Sequence, residues 1–246
     1  MNVVAILAGG MGTRLKSSLP KQFIKLDNKP ILIHTISRFI DLDDIDLIIV
    51  AIPFDYLEYT RNLLEEFYPN NNIILIKGGN TRNETLLNVL NYLNTNYKLD
   101  SDDIILTHDA VRPFVTKRII NDNIDICFKY GACVTAIGAT DTILETKKCD
   151  VINVPNREYM YQAQTPQTFK ILELLNTCNC LTEDEKNTLT DASRIYVLKN
   201  KLVKLVEGEL YNIKITTKLD LLLANSIMGY LDNVYEEEKV LKKDLV

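Results

Sequence analysis

Short apolar segments and helical segments alternate along the first half of the chain, and this alternation constrains the fold more than any other feature. Apolar residues spaced three and four positions apart predict a helix between each pair of successive strands. Such βαβ units are right-handed and build a mainly parallel sheet with helices on both faces. We therefore expect an α/β, Rossmann-like three-layer fold. The five strands predicted in this half are residues 3–7, 46–52, 73–76, 104–106 and 133–137. One of the helices is predicted to be capped by Asn80 or Thr81, and another to begin at Thr116 and end near Gly131.

The second half of the chain departs from this rhythm. Two short strands around the polar turn 147–150 predict a projecting β-hairpin. No linker or internal repeat divides the chain, so we expect one domain over residues 1–231, with a β-arm at about 139–160 and a tail at 232–246. The other elements predicted here are helices at 169–175, 183–189 and 219–231 and strands at 203–206 and 212–215.

Composition narrows the classes of protein that the chain can belong to. The formal net charge is −5, which argues against general nucleic-acid binding, since that function favours a basic surface. The five cysteines lack paired Cys-x-x-Cys spacing and favour reduced thiols. No signal segment or run of membrane-spanning length is apparent. We therefore expect a cytoplasmic protein without nucleic-acid or membrane partners.

Glycines follow the first predicted strand directly, at Gly9, Gly10 and Gly12. Glycine lets backbone N–H groups approach a ligand closely. The pattern lacks the Gly-Lys-Ser/Thr ending of a P-loop and the third spaced glycine of a dinucleotide site. Two cations, Arg14 and Lys21, follow within the same loop, and such cations stabilise charge on phosphates. The loop therefore predicts a phosphate site, with a tight turn that binds no ligand as the alternative.

Two further loops lie at carboxyl ends of predicted strands, where ligands bind in parallel sheets. In the glycine turn 78–85, the N–H groups and the Thr85 hydroxyl could read the edge of a base, or the segment could be an ordinary capped turn. Asp109 suits Mg²⁺ on phosphates, because this ion takes one or two carboxylates plus substrate oxygens. An ion pair between Asp109 and Arg112 is a compatible alternative. His108 is interpreted as structural, since the chain has only one other histidine.

Seven stretches, in a fixed order along the chain, resemble those of the sugar-alcohol-phosphate cytidylyltransferases. This family includes the ribitol-5-phosphate and the 2-C-methyl-erythritol-4-phosphate cytidylyltransferases. Each stretch is weakly specific alone, whereas the combination is highly specific. The stretches are residues 7–14, 20–22, 78–79 with Arg82, 108–113, 164–167, 190–192 and 212–216.

The resemblance implies the nucleotidyltransferase fold and transfer of a cytidylyl group from CTP to a polyol phosphate, assisted by Mg²⁺ near Asp109. It implies catalytic roles for Arg14, Lys21, Arg157 and Lys214. The last two would also bind the acceptor phosphate. The CTP-binding positions that it implies are Leu7, Ala8, Gly9, Gly10, Gly79, Asn80, Thr81, Arg82, Asn83, Glu84, Thr85 and Ala110.

The same resemblance implies a role for the hairpin arm. Asp141 and Thr142, at its base, resemble acceptor-site residues that the family supplies across a dimer interface. The resemblance therefore implies a homodimer that exchanges its arms.

The acceptor is narrowed by four segments that are more similar to the ribitol-phosphate branch: residues 107–114, 154–157, 160–165 and 190–192. Within the third segment, Ala163 stands where that branch usually has glycine. We expect D-ribitol 5-phosphate as acceptor, with CDP-ribitol feeding wall teichoic acid or capsule polymers. The alternative is 2-C-methyl-D-erythritol 4-phosphate or another polyol phosphate.

Two other classes of protein are less consistent with the sequence. A Rossmann-type dehydrogenase would have an acidic residue at the end of the second strand, where this chain has Ile52-Pro53. A nucleotide-binding protein without catalysis would be expected to lack Arg14, Lys21 or Lys214, and the chain has all three.

Overall fold

The computed structural model describes residues 1–9, 19–189 and 191–243, without the side chains of Asn187 and of residues 232–243. Gly10, Gly12 and Arg14 of the predicted phosphate loop therefore lie outside the described residues. The elements, in chain order, are β1 (Asn2–Leu7), β2 (Lys25–Leu26), β3 (Lys29–Pro30), α1 (Ile31–Ser37), β4 (Leu47–Ile52), α2 (Leu57–Phe67), β5 (Ile73–Lys77), α3 (Arg82–Asn96), β6 (Ile104–Asp109), α4 (Lys117–Tyr130), β7 (Ala132–Gly138), β8 (Glu145–Lys147), β9 (Asp150–Asn153), β10 (Tyr161–Lys170), α5 (Ile171–Asn179), α6 (Glu183–Asn187), α7 (Ser193–Leu198), β11 (Lys204–Glu207) and α8 (Lys218–Lys243).

Seven strands form one sheet in the order β11–β7–β10–β6–β1–β4–β5. Strand β1 pairs in parallel with β4 and β6, and the pairs β4–β5 and β7–β11 are parallel as well. Only β10, among the strands of this sheet, runs the other way, antiparallel to both β6 and β7. The predicted mainly parallel mixed sheet is confirmed. Its parallel strands end along one edge, where ligands bind in such folds.

Strand β1 shows why the sheet needs helices on both faces. Its residues from Val3 onward are almost completely buried, and they alternate between two apolar clusters. Val4 and Ile6 pack with side chains of α1, α2 and α4. Val3, Ala5 and Leu7 pack with side chains of α3, α5 and α7. The three predicted layers follow from this alternation.

Three predicted helix ends are confirmed by their capping geometry. The Thr116 hydroxyl accepts a hydrogen bond from Ile119 N and begins α4, which ends at Gly131 with a left-handed φ of 87°. Thr81 caps α3 in the same way, by accepting from Glu84 N. Of the two predicted caps for α3, Asn80 and Thr81, the structure therefore uses Thr81.

Strand β10 was not predicted, and the predicted helix at 169–175 is wrong at its start, because Phe169 and Lys170 belong to β10. A proline is unfavourable in a central strand, and Pro166 has no N–H to donate to a neighbouring strand. The structure accommodates the proline by a shift in the β7 register between Ala163 and Gln167. Helix α7 was also not predicted.

The predicted strand at 212–215 is wrong. This segment has no strand partner, and Ile215 N instead donates one hydrogen bond to Val111 O, 2.9 Å away. Ile215 is buried in a third apolar cluster with Val111, Phe114 and Ala224 of α8. Packing against α8, rather than sheet pairing, fixes this stretch of chain.

The predicted hairpin is present as a separate two-stranded unit, in which β8 and β9 pair antiparallel. Its turn places Lys148 and Cys149 at positive φ, 48° and 71°. Apolar side chains of the arm are more than half exposed, among them Val151 (54%) and Ile152 (55%).

Helix α8 begins one residue before the predicted helix at 219–231 and continues to Lys243. Across the described ranges, no helix combines the length and the apolar character needed to cross a membrane.

Candidate active site

A pocket lies at the carboxyl ends of β1 and β6, where three loops and one cation from near the C-terminus meet. It brings together eight of the residues that the sequence predicted for the site. Gln22 and Val111 complete its wall. The lining residues are Leu7, Ala8, Gly9, Lys21, Gln22, Arg82, Asp109, Ala110, Val111 and Lys214.

Asp109 is the electrostatic centre of this pocket. Its Oδ2 atom lies 2.9 Å from Lys214 Nζ and 3.4 Å from Arg112 Nε, and its Oδ1 atom lies 3.3 Å from Arg82 Nε. Burial alone would raise the pKa of Asp109, but the charges of these cations outweigh burial and hold the pKa well below its usual range. Asp109 therefore stays ionised and holds three cations around it.

A hydrogen-bonded chain fixes the strand end that carries Asp109. Asp109 N donates to Thr165 Oγ1 over 3.2 Å. Thr165 Oγ1 lies 3.0 Å from His108 Nδ1, and His108 Nε2 lies 3.0 Å from Arg112 O. Because a carbonyl can only accept, Nε2 of His108 carries a proton. Burial lowers the pKa of His108 to about 4, so the ring is neutral and the Thr165 hydroxyl donates to Nδ1. This agrees with the interpretation of His108 as structural.

Arg112 serves the architecture of the pocket. Besides Asp109, its guanidinium donates to Asn212 O over 2.7 Å and to Ala163 O over 3.4 Å. The predicted ion pair between Asp109 and Arg112 is confirmed, and its second end binds the segment that carries Lys214.

Arg82 presents unsatisfied hydrogen-bonding capacity beside Asp109. Its Nη1 and Nη2 atoms are buried, and neither finds a partner within the described parts of the chain. Buried N–H groups cost free energy until they bind an acceptor, and phosphate oxygens are strong acceptors for a guanidinium. Arg82 therefore favours an anion at this side of the pocket.

The two glycine turns are in close contact, which explains why they lack side chains. A Cβ on Gly9 would lie 2.4 Å from Thr85 Oγ1, and a Cβ on Gly79 would lie 2.3 Å from Glu84 Cβ. The Thr85 hydroxyl accepts from Gly79 N over 3.0 Å and donates to Thr81 O over 2.7 Å. Because the hydroxyl proton is engaged within the loop, the hydroxyl could accept from a base as it stands but could donate to one only by changing partners.

Other residues predicted to bind CTP have structural partners at the start of α3. Glu84 Oε2 accepts from Asn80 N over 2.8 Å, and Asn83 Nδ2 donates to Leu189 O over 3.1 Å. Thr81, Asn83 and Glu84 line a second pocket with side chains of α3, α5, α6 and α7. Their contact with CTP stays a prediction.

The predicted acceptor residues of the arm lie apart from the pocket of their own chain. Asp141, Thr142 and Arg157 are exposed, and none of them lines the pocket. Arg157 Nη1 donates to Thr140 O over 2.9 Å, which fixes the guanidinium at the base of the arm. Lys214 alone represents the predicted acceptor site within one chain.

Sequence reasoning missed Gln22 as a positioning residue. Its side chain is buried, and Nε2 donates to Ala8 O over 2.9 Å, which holds the start of the glycine loop. A glutamine directly after the candidate catalytic lysine was the available signal, but polarity alone does not reveal burial. Thr165 and Asn212 were missed for the same reason.

The donor set fits a magnesium ion in one respect. Asp109 is the one carboxylate that lines the pocket among the residues described there, and no group of three or more His, Cys, Asp or Glu in those parts of the chain could hold a metal. Mg²⁺ commonly takes one or two carboxylates and completes its shell with phosphate oxygens and water. Asp109 can supply the protein ligand if the substrate supplies the others.

The mixed sheet of this strand order, with a cation cluster at the edge where the parallel strands end, matches the nucleotidyltransferase fold of solved relatives. More particularly, residues 2–230 match the family model described as IspD: 2-C-methyl-D-erythritol 4-phosphate cytidylyltransferase, and the chain belongs to this family. The protein is therefore a cytidylyltransferase, which confirms the resemblance at the level of the family.

Solved structures agree with this assignment. The Francisella tularensis 2-C-methyl-D-erythritol 4-phosphate cytidylyltransferase is 32% identical, with a TM-score of 0.77 over 91% of this chain and 98% of its own. The 4-diphosphocytidyl-2C-methyl-D-erythritol synthase of Anaerococcus prevotii is 28% identical, with a TM-score of 0.79 over 93% and 98%. The bifunctional IspDF of Campylobacter jejuni is 26% identical, with a TM-score of 0.72, and the match covers 89% of this chain and 53% of that one.

Burial of His108 predicts a pH-dependent stability. Burial lowers its pKa from 6.5 to about 4, so the unfolded chain binds a proton in this window while the native state does not. Stability should therefore fall as the pH decreases from about 6.5 to about 4. His108→Gln should remove this contribution, which is roughly 3 kcal/mol across the window.

Urea denaturation at a series of pH values measures the effect. The curve for His108→Gln should be flatter than that of the wild type, whatever the constant cost of the substitution. His34→Gln is the matched control and should flatten the curve less, because burial also lowers the pKa of His34 but this residue is only half-buried. Parallel curves for His108→Gln and wild type would contradict the prediction.

Proposed function

We propose that the protein transfers the cytidylyl group of CTP to D-ribitol 5-phosphate, giving CDP-ribitol and pyrophosphate. The observation that carries the proposal is the cation cluster around Asp109, in which the buried Nη atoms of Arg82 lack a partner among the described residues. Such a cluster suits two phosphorylated substrates. The four segments similar to the ribitol-phosphate branch support the choice of acceptor. We place the reaction in the cytoplasm.

The chemistry needs positive charge more than a base. An oxygen of the acceptor phosphate attacks the α-phosphorus of CTP, a new P–O bond forms, and the bond to the β-phosphate breaks as pyrophosphate leaves. The acceptor is largely ionised at neutral pH, because the second pKa of a phosphate monoester is about 6. The reaction therefore needs no general base, and the neutral, buried His108 is not required to act as one.

We assign the nucleotide to the side of the pocket formed by the glycine loop and Arg82. Leu7, Ala8 and Gly9 line this side, and Ala110 lies beside them, since Ala110 N donates to Leu7 O over 3.3 Å. Arg82 would bind phosphate oxygens, and Lys21 would stabilise the charge that develops on the α-phosphate and the leaving pyrophosphate. Arg14, outside the described residues, is proposed to act with Lys21.

The acceptor would enter on the side of Lys214. The ammonium group lies 2.9 Å from Asp109 Oδ2, and the Lys214 side chain is more than a third exposed, so the group can bind a phosphate while it keeps its ion pair. Arg157 is proposed to contribute from the arm of a partner subunit, together with Asp141 and Thr142.

Mg²⁺ is proposed as the divalent cation, with Asp109 as its protein ligand. When bound, it would supply charge neutralisation between the phosphates of CTP. The protein's own part is to keep Asp109 ionised, which the surrounding cations do.

A second acceptor, 2-C-methyl-D-erythritol 4-phosphate, is favoured by a specific observation. The matched family model and the Francisella and Anaerococcus relatives carry names from that reaction. If this acceptor is the substrate, the product would belong to isoprenoid synthesis rather than to cell-wall polymers.

A panel of acceptors separates the two proposals. Purified protein with CTP and Mg²⁺ is given D-ribitol 5-phosphate, 2-C-methyl-D-erythritol 4-phosphate or other polyol phosphates, and pyrophosphate release is measured. We expect kcat/KM for D-ribitol 5-phosphate to exceed that for the other acceptors by about 10-fold or more. Preference for methylerythritol phosphate would replace the proposed acceptor, and no release with any acceptor would contradict the proposed reaction.

Replacing Lys21 tests its place at the reacting phosphates. Lys21→Ala should lower kcat by roughly 100-fold or more, because it removes charge that stabilises the transition state. Lys25→Ala is the matched control, since Lys25 is exposed on β2 and outside the pocket. Turnover of Lys21→Ala at the wild-type rate would contradict the assigned role.

We also propose that the protein is a homodimer that exchanges its arms. The arm presents apolar side chains that its own chain leaves exposed, including Val151, Ile152 and Val154. Asp141, Thr142 and Arg157 stand apart from the pocket of their own chain, so an acceptor role for them requires a partner subunit.

Sedimentation velocity tests the arm. The wild type should sediment as a dimer, and the double substitution of Ile152 and Val154 by aspartate should raise the dissociation constant about 10-fold or more, because it buries charges in the contact. Leu202→Asp, at a highly exposed leucine outside the arm (79%), is the control. A monomeric wild type, or an unchanged dimer in the arm variant, would contradict arm exchange.

A further inference from the structure

Lys214 occupies its place without the support of a strand. The segment around Lys214 is irregular, and hydrogen bonds to its backbone hold the segment on either side of the lysine. Arg112 Nη1 donates to Asn212 O over 2.7 Å, and Ile215 N donates to Val111 O over 2.9 Å. The position of the ammonium group therefore depends on how firmly residue 212 is held.

Asn212 is fully buried, and its side chain ties the segment to β10. Its Nδ2 atom donates to Gln164 Oε1 over 3.2 Å and to Thr165 O over 3.0 Å. Gln164 is fixed in turn, because its Nε2 atom donates to Glu209 O over 2.9 Å. A Cβ on Gly208 would lie 2.4 Å from Gln164 Oε1, so the chain packs closely against this amide.

These contacts close a ring through the pocket. Asp109 Oδ2 binds both Lys214 Nζ and Arg112 Nε. Arg112 then binds the carbonyl of Asn212, two residues before the lysine. Thr165 links the two sides of the ring. Its hydroxyl accepts from Asp109 N, and its carbonyl accepts from the side chain of Asn212.

We propose that Asn212 is a positioning residue that sets the place of Lys214 for the acceptor phosphate, an inference that rests on the proposed function. Asn212 contributes two N–H donors at a point where both partners are acceptors. An aspartate would set a carboxylate against these acceptors, and an alanine would leave Gln164 Oε1 only the longer hydrogen bond from Glu209 N, 3.4 Å. In either case the segment loses its side-chain link to β10, and the ammonium group moves from the acceptor.

The proposal predicts a selective loss. Asn212→Ala should raise the KM for the acceptor by about 10- to 100-fold, the range expected when a binding group is displaced by about 1 Å, while the KM for CTP changes less than about twofold. Asn212→Ser, which keeps one donor, should recover part of the loss. Equal increases in both KM values would overturn the proposal.

A double-mutant cycle separates positioning from general loss of structure. If Asn212 acts through Lys214, Asn212→Ala should add nothing further to the acceptor KM in a Lys214→Ala background. Full additivity in the cycle would overturn the proposal. Asn123→Ala is the matched control, because Asn123 is also fully buried and donates from Nδ2 to Ile119 O and Thr135 Oγ1, away from the pocket. It should lower stability without changing the ratio of the two KM values.

A readout without turnover keeps the inference distinct from the proposed function. Lysines are reductively methylated with ¹³C-formaldehyde, and the Lys214 signal is assigned by its loss in Lys214→Arg. Asn212→Ala should shift this signal toward those of exposed lysines, because the contact with Asp109 loosens, and Asn123→Ala should not. An unchanged signal would overturn the inference, whereas failure of every polyol phosphate as a substrate would overturn only the proposed function.

Discussion

The candidate site depends on one buried anion. Three cations with very different sequence positions, Arg82, Arg112 and Lys214, converge on the carboxylate of Asp109. Without that charge they would repel one another in a poorly solvated place. Asp109 can hold this role because β6 delivers it to the edge of the sheet and Thr165 fixes its backbone. The site is therefore a consequence of where β6 ends.

The parallel and antiparallel strands of the sheet position different parts of the candidate site. Parallel strands β1 and β6 end beside each other and present the glycine loop and Asp109. Antiparallel β10 runs back along β6 and brings Gln164 and Thr165 to the same edge. In the proposed mechanism, loops at the ends of the parallel strands bind the nucleotide, while β10 holds the segment whose Lys214 binds the acceptor.

Local chemistry made part of this predictable. The apolar run of β1, the cap at Thr116 and the loops that carry Lys21 and Asp109 could be predicted because each depends on neighbouring residues. Strand β10 could not, because its proline and polar residues fit a central strand only through a register shift and side-chain bonds to distant partners. The segment around Lys214 shows the opposite error, a strand that was predicted and is absent. Its alternating apolar residues pack on α8 and do not pair in a sheet.

Helix α8 supplies none of the described residues that line the pocket, yet it shares a small apolar cluster with Ile215 and Val111. The segment that carries Lys214 thus depends in part on an apolar contact that lies outside the two main clusters of the core. Such peripheral contacts open at lower free energy than central strands do. If Lys214 binds the acceptor as proposed, warming should weaken acceptor binding before nucleotide binding, and thermal inactivation should precede unfolding.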